Sequence, residues 1–169
     1  MLKKWNVLPP PPDDFINSHP ELPTTISRLL WNRNLRDQKK IDEFLNPDYS
    51  QDVHDPFLFQ DMEKATDIIF KSIKNQENIV VHGDYDADGV CASAIIINGL
   101  KKLGAQNVDV FIPHRETDGY GLNPRTIEFL AEKKTDLIIT CDCGISNYDE
   151  VALAKKKKIK VIITDHHVV

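Results

Sequence analysis

The chain has 169 residues, 28% charged and 41% hydrophobic, with a net charge of −5. That supports a buried core, and no apolar run approaches the roughly 20 residues of a membrane span. The acidic balance argues against a broad basic surface for phosphates, but it excludes little where a metal reverses the local sign.

The start, "MLKKWNVLPPPPDDF", lacks the apolar middle of a signal peptide. Cys91, Cys141 and Cys143 form neither a disulfide framework nor a zinc spacing. The expectation is a cytoplasmic protein with no membrane partner. "LPPPPDD", Leu8 to Asp14, is a stiff extended lead-in. Leu29, Leu30, Ile41, Phe44 and Leu45 then predict two short helices, the second ended near Pro47. Met62, Ala65, Ile68, Ile69 and Ile73 recur at helical spacing. Residues 1–75 are therefore expected to be a helical and irregular appendage, and 76–169 an α/β domain.

From Ile79 strands alternate with helices. The predicted strands are 79–83, 107–112, 136–141 and 160–164, and the predicted helices 89–103, 124–134 and 147–158. Runs such as "IVV", "LIIT" and "VIIT" are continuously apolar, as in strands covered on both faces. The fold class is thus α/β, a parallel sheet flanked by helices.

Three strands end alike, in "IVVHGDYDADG", "LIITCDCGIS" and "VIITDHH". Open α/β sheets form their sites beyond the carboxyl ends of the strands. One edge should therefore collect Asp84, Asp86, Asp88, Asp142, Asp165, His166 and His167. "IPHRETDGYG" after the second strand adds His114 and Arg115. Three aspartates two apart repel one another and call for a positive partner. Carboxylates with an imidazole suit Mg²⁺ or Mn²⁺. Two ions roughly 3.5–4 Å apart need a bridging carboxylate. Asp142 stands alone after its strand and is the natural bridge; Asp86 and Asp88 can each face one ion, with His166 on the second.

"HGDYDADGVCAS", "DCGIS" and "TDHH" resemble the first three motifs of the DHH phosphoesterase superfamily. "IPHRETDGYGLN" and the segment from "LLWNRNLRD" to "DMEKA" are similar to the RecJ single-strand-specific exonucleases. The resemblance implies Mn²⁺- or Mg²⁺-dependent degradation of single-stranded DNA from its 5′ end, in DNA repair and recombination. A single-strand-binding protein or a helicase is an implied partner. It also implies Asp86, Asp88, Asp142 and His166 as metal ligands, with His82 at a position where related phosphoesterases place one. Asp84 would bind metal or orient a water, His167 would touch the scissile phosphate, and Asp165 would orient the histidines. His114 and Arg115 would face substrate phosphates, where Arg grips bidentately. The family has a further metal-binding aspartate and a second domain after these motifs, so the chain, ending at Val169, is expected to be an N-terminal portion.

Plainer readings stand beside these. One aspartate after the first strand can be a helix N-cap. Cys141 and Cys143 read as small buried residues. Lys155 to Lys160 read as a solvated helix end, where cations favour the dipole. Trp5 and Trp31 can stack on bases or pack in a core. Rival functions are another superfamily branch, acting on oligonucleotides, cyclic dinucleotides or nucleotide bisphosphates, and a non-catalytic scaffold. A phosphate-accepting receiver domain gathers aspartates at strand ends too, but does not predict the His166–His167 pair.

Overall fold

The computed structural model describes residue 4 and residues 6–168. Trp5 lies outside the described residues. The chain divides into two compact units, one running to Leu58 and the other from Phe59.

The first unit holds three helices, α1 (Asp13–Ser18), α2 (Thr24–Asn32) and α3 (Gln38–Leu45), then a 3₁₀ turn at Pro56–Leu58. Its core is Phe15, Leu30 and Ile41, with Leu22, Ile26, Trp31 and Leu35 packed around them. Trp31 is thus a packing residue, its ring 5.1 Å from that of Phe15 and covered by Arg36 at 3.9 Å. α1 takes in the last two residues of the stretch expected to be extended, Asp13 and Asp14, and runs on to Ser18. Pro12 presets the entry to it, and Asp13 and Asp14 occupy the first turn, where the helix dipole favours acids.

The second unit begins with α4 (Met62–Lys74), then alternates β1 (Ile79–Gly83), α5 (Ala87–Lys102), β2 (Val108–Phe111), α6 (Pro124–Glu132), β3 (Leu137–Cys141), α7 (Tyr148–Lys156) and β4 (Lys160–Thr164). The four strands form one parallel sheet in the order β2-β1-β3-β4. The division between units falls after Leu58 rather than after residue 75, because α4 packs on the sheet. Its Ala65, Ile68, Ile69 and Ile73 join the core of Ile79, Val81, Leu137, Ile139 and Ile162.

Right-handed crossovers decide which helix covers which face. β1 to β2 moves one way across the sheet; β2 to β3 and β3 to β4 move the other way. α5 therefore lies with α4 on one face, and α6 and α7 on the opposite face. Core composition shows it: Ala92, Ile96 and Ile97 of α5 pack on the first cluster, whereas Ile127, Leu130 and Ala154 pack with Val80 and Ile138 on the second. Successive residues of β1 and β3 feed opposite faces, so these central strands are buried throughout.

β1 and β3 are neighbours from whose ends the chain departs to opposite faces, the arrangement that opens a crevice at the carboxyl edge. The last turn of α7 carries Lys155 and Lys156 at the other, amino edge, beside the start of β4. No described helix is long and apolar enough to cross a membrane.

Candidate metal centre

Asp84 follows β1 directly. Its N–H donates to Cys141 O at 3.1 Å, so the ladder to β3 continues one step past the strand. Its side chain is buried, and Oδ1 has no hydrogen-bond partner among the described residues. Gly89 packs against this backbone: a Cβ there would lie 2.4 Å from Asp84 N. Only glycine lets α5 start so close to β1.

Asp86 is the N-cap of α5. Its Oδ1 accepts from Asp88 N at 3.0 Å and Gly89 N at 3.1 Å, leaving Oδ2 outside the cap. Asp142 follows β3 and takes the left-handed conformation, φ 63°, which Asp tolerates better than most residues. Its N–H donates to Thr164 O at 2.9 Å, tying it to the end of β4.

Two groups of ligand atoms result, each within 4.8 Å: Asp84, Asp86 and Asp142, and Asp142, His166 and His167. Asp142 is common to both. His166 Nε2 lies 2.9 Å from Asp142 Oδ1. His167 Nδ1 lies 2.8 Å from Asp165 Oδ1, and the same Asp165 carboxylate accepts from His167 N and Ile145 N, both at 3.0 Å. Asp165 is thereby enclosed and joins neither group.

The electrostatics follow from these contacts. Burial pushes the Asp84 carboxyl above its ordinary value, the charges of Asp86 and Asp142 add to this, and backbone and Arg115 contributions oppose it. Burial also pushes Asp165 up, but three hydrogen bonds outweigh it and hold its carboxyl below the ordinary range. The bond to Asp165 raises His167. Three carboxylates converging around a buried, unpartnered oxygen are unfavourable without a cation. Oxygen-rich ligands with an imidazole fit a divalent ion of the Mg²⁺ or Mn²⁺ kind.

Four expected residues sit outside these groups. Asp88 is exposed in the first turn of α5 and belongs to neither group. It lines an apolar groove of about 920 Å³, built from α4, α5 and β4, that opens onto Asp142 and His166. His82 is fully enclosed in β1, stacked on Phe111 with centroids 5.4 Å apart, its Nδ1 3.6 Å from Cys143 Sγ. Burial lowers its pKa to about 4, so the ring is neutral, and Nε2 has no partner among the described residues. His114 is exposed in the loop after β2 and outside both groups; its Nδ1 accepts from Glu116 N at 3.3 Å. Arg115, also exposed, lies over the Tyr85 ring at 4.6 Å.

The structure adds Tyr120, which residue reading did not single out. Its hydroxyl donates to Asp142 O at 3.2 Å and lies 3.0 Å from His167 Nδ1. Burial, then nearby carboxylates, push its pKa up to about 12, so the hydroxyl keeps its proton. Asn147 fastens the Tyr120 loop, its side chain bonding both N and O of Leu122 at 3.1 and 3.0 Å.

A family model described as "DHH family, N-terminal domain" matches residues 78–169, more than half of the chain. The single-stranded-DNA-specific exonuclease RecJ of Bacillus subtilis (strain 168) is 37% identical over 166 residues, 97% of this chain and 21% of that protein. The crystal structure of RecJ in complex with Mn²⁺ from Thermus thermophilus superposes with a TM-score of 0.60 and 30% identity, covering 98% of this chain and 23% of that one. A crystal structure of exonuclease RecJ bound to manganese gives 0.58 and 41%, over 62% of this chain and 27% of that one. The chain thus spans roughly a quarter of the length of these relatives.

Proposed function

The chain belongs to the DHH family, and on that premise we propose that it hydrolyses phosphodiester bonds of single-stranded DNA from the 5′ end, with Mn²⁺ or Mg²⁺ as its two ions. The observation that carries this reading is the membership of Asp142 in both ligand groups, the place a bridging carboxylate must take. The RecJ relatives are single-stranded-DNA-specific exonucleases by name, and two of their structures hold manganese.

Asp84, Asp86 and Asp142 would hold one ion, and Asp142 and His166 the other. When bound, such ions supply Lewis acidity to a phosphoryl oxygen and lower the pKa of water. The protein's own groups do the positioning. Asp165 accepts the Nδ1 proton of His167 and so leaves Nε2 directed at a phosphate oxygen. The Tyr120 hydroxyl meets the same Nδ1 of that ring and donates to the carbonyl of Asp142. Asp88, off the cluster, faces the groove and would bind water or metal from outside. His82 would act as a neutral packing ring behind β1. His114 and Arg115 would meet the phosphate next to the one cleaved. Such an activity belongs with DNA repair and recombination in the cytoplasm, with a single-strand-binding protein or a helicase alongside.

The test has two parts. Calorimetric titration of the protein with Mn²⁺ should show binding that Asp142→Asn abolishes at both sites together. A 5′-labelled single strand and a dinucleotide are then offered with Mn²⁺. Release of mononucleotides from the long strand supports the proposal. Rapid dinucleotide cleavage with the long strand untouched moves the protein to another branch of the family, and absence of Mn²⁺ binding makes it a scaffold.

A further inference from the structure

Arg115 lies in the loop after β2, and its guanidinium enters none of the ion pairs among the described residues. It acts on Asp84 through space, and its guanidinium carbon lies over the ring of Tyr85, 4.6 Å from the centroid. A guanidinium held over an aromatic ring still has N–H donors free to grip a phosphate bidentately. The backbone beneath it is already fixed. His114 N donates to Asp118 Oδ2 at 2.8 Å, and Asp118 N returns a bond to His114 O at 2.9 Å. What remains loose is the long Arg115 side chain, and Tyr85 is what it rests on. Tyr85 is itself held on both sides. Asp84 before it is bonded to β3, and Asp86 after it caps α5.

Resting on the nuclease reading above, we propose that Tyr85 is a positioning residue for the substrate. Its ring platform aims Arg115 at a phosphate beside the metal centre and ties that grip to the loop carrying Asp84 and Asp86. The aromatic face acts here, not the hydroxyl.

The test is a mutant cycle read by fluorescence anisotropy with a 5′-phosphorylated single strand, Ca²⁺ replacing Mn²⁺ so that no turnover occurs. Tyr85→Leu should weaken binding about two- to five-fold, the size of an exposed cation–π contact. Tyr85→Phe and Tyr85→Trp should bind like the wild type. In an Arg115→Met background, Tyr85→Leu should change nothing further. Mn²⁺ affinity should be the same in the Tyr85 single variants as in the wild type. Additive losses in the double variant overturn the proposal, as does a Tyr85→Phe protein as weak as Tyr85→Leu. A parallel loss of Mn²⁺ binding also overturns it, since Tyr85 would then be shaping the carboxylates. If the wild type binds no single strand, the nuclease reading fails. The same cycle with thymidine 5′-monophosphate then decides the Tyr85–Arg115 coupling alone.

Discussion

Gly89→Ala tests whether the close approach of α5 to β1 sets the geometry of the carboxylates. The new methyl carbon would start 2.4 Å from Asp84 N, 2.5 Å from Asp84 O and 2.6 Å from Asp84 Cα. All three are backbone atoms, so no side chain can swing aside. Restoring an ordinary contact near 3.4 Å requires a relative movement of about 1 Å. Either Asp84 leaves its 3.1 Å bond to Cys141 O, or the start of α5 retreats and takes the Asp86 cap with it. Overpacking of this kind costs about 1–3 kcal/mol, and alanine's better helix propensity returns up to about 1 kcal/mol. With that return taken in full, the net cost is up to about 2 kcal/mol, and the melting temperature should fall by up to about 8 °C, at roughly 2–4 °C per kcal/mol for a chain of this size. Metal sites accept ligand displacements of only about 0.2 Å. Mn²⁺ affinity should therefore drop by at least about tenfold, a larger effect than the stability loss alone would suggest. Calorimetric titration and thermal melts of the two proteins measure both. Unchanged Mn²⁺ affinity in a folded Gly89→Ala protein would refute the link between helix approach and ligand geometry.

Three further outcomes are expected. Asp84→Asn should raise the melting temperature of the metal-free protein at pH 7, because a carboxyl whose pKa is raised on folding destabilises the folded state once ionised. That gain should shrink as pH falls towards the ordinary value of 3.8, and thermal melts with added Mn²⁺ should show the variant losing the stabilisation the ion gives the wild type. Glu77 is held below its ordinary value of 4.5, chiefly by its bond to Lys160. Glu77→Gln should thus cost up to about 1 kcal/mol at pH 7, a partly exposed pair being screened, and the difference should vanish in melts as pH falls below 4.5. Tyr120→Phe should slow turnover about three- to tenfold through loss of its hydroxyl bonds, with Mn²⁺ affinity retained; equal turnover would show the hydroxyl to be idle.

The continuous apolar runs of β1 and β3 identify strands covered on both faces, and their parallel order places the aspartates that follow them together. α4 shows the limit of that reading. Helical spacing at Ala65, Ile68 and Ile69 reveals an apolar face but not which surface it covers, and that surface is the sheet. The row Asp84, Asp86, Asp88 shows another. A spacing of two puts side chains on one face only while the chain stays extended. Helix α5 begins at Ala87, so Asp88 turns away while Asp84 and Asp86 stay with the cluster. Asp86 is both cap and member of the cluster, so the plain and the functional readings coincide there. Tyr120 was beyond reach, because its contacts to Asp142 and His167 depend on the tertiary path of the β2–α6 loop, not on any local pattern.

The amides of Asp84 and Asp142 extend the sheet's ladder, whereas the His166–His167 arm is fastened through the Asp165 carboxylate and the Tyr120 hydroxyl. The two halves of the centre therefore differ in stiffness. Hydrogen exchange at the two aspartates would require strands to separate, while the imidazoles can swing open by releasing a few side-chain bonds. An ion or a product would enter and leave by the yielding side, against a wall that stays put.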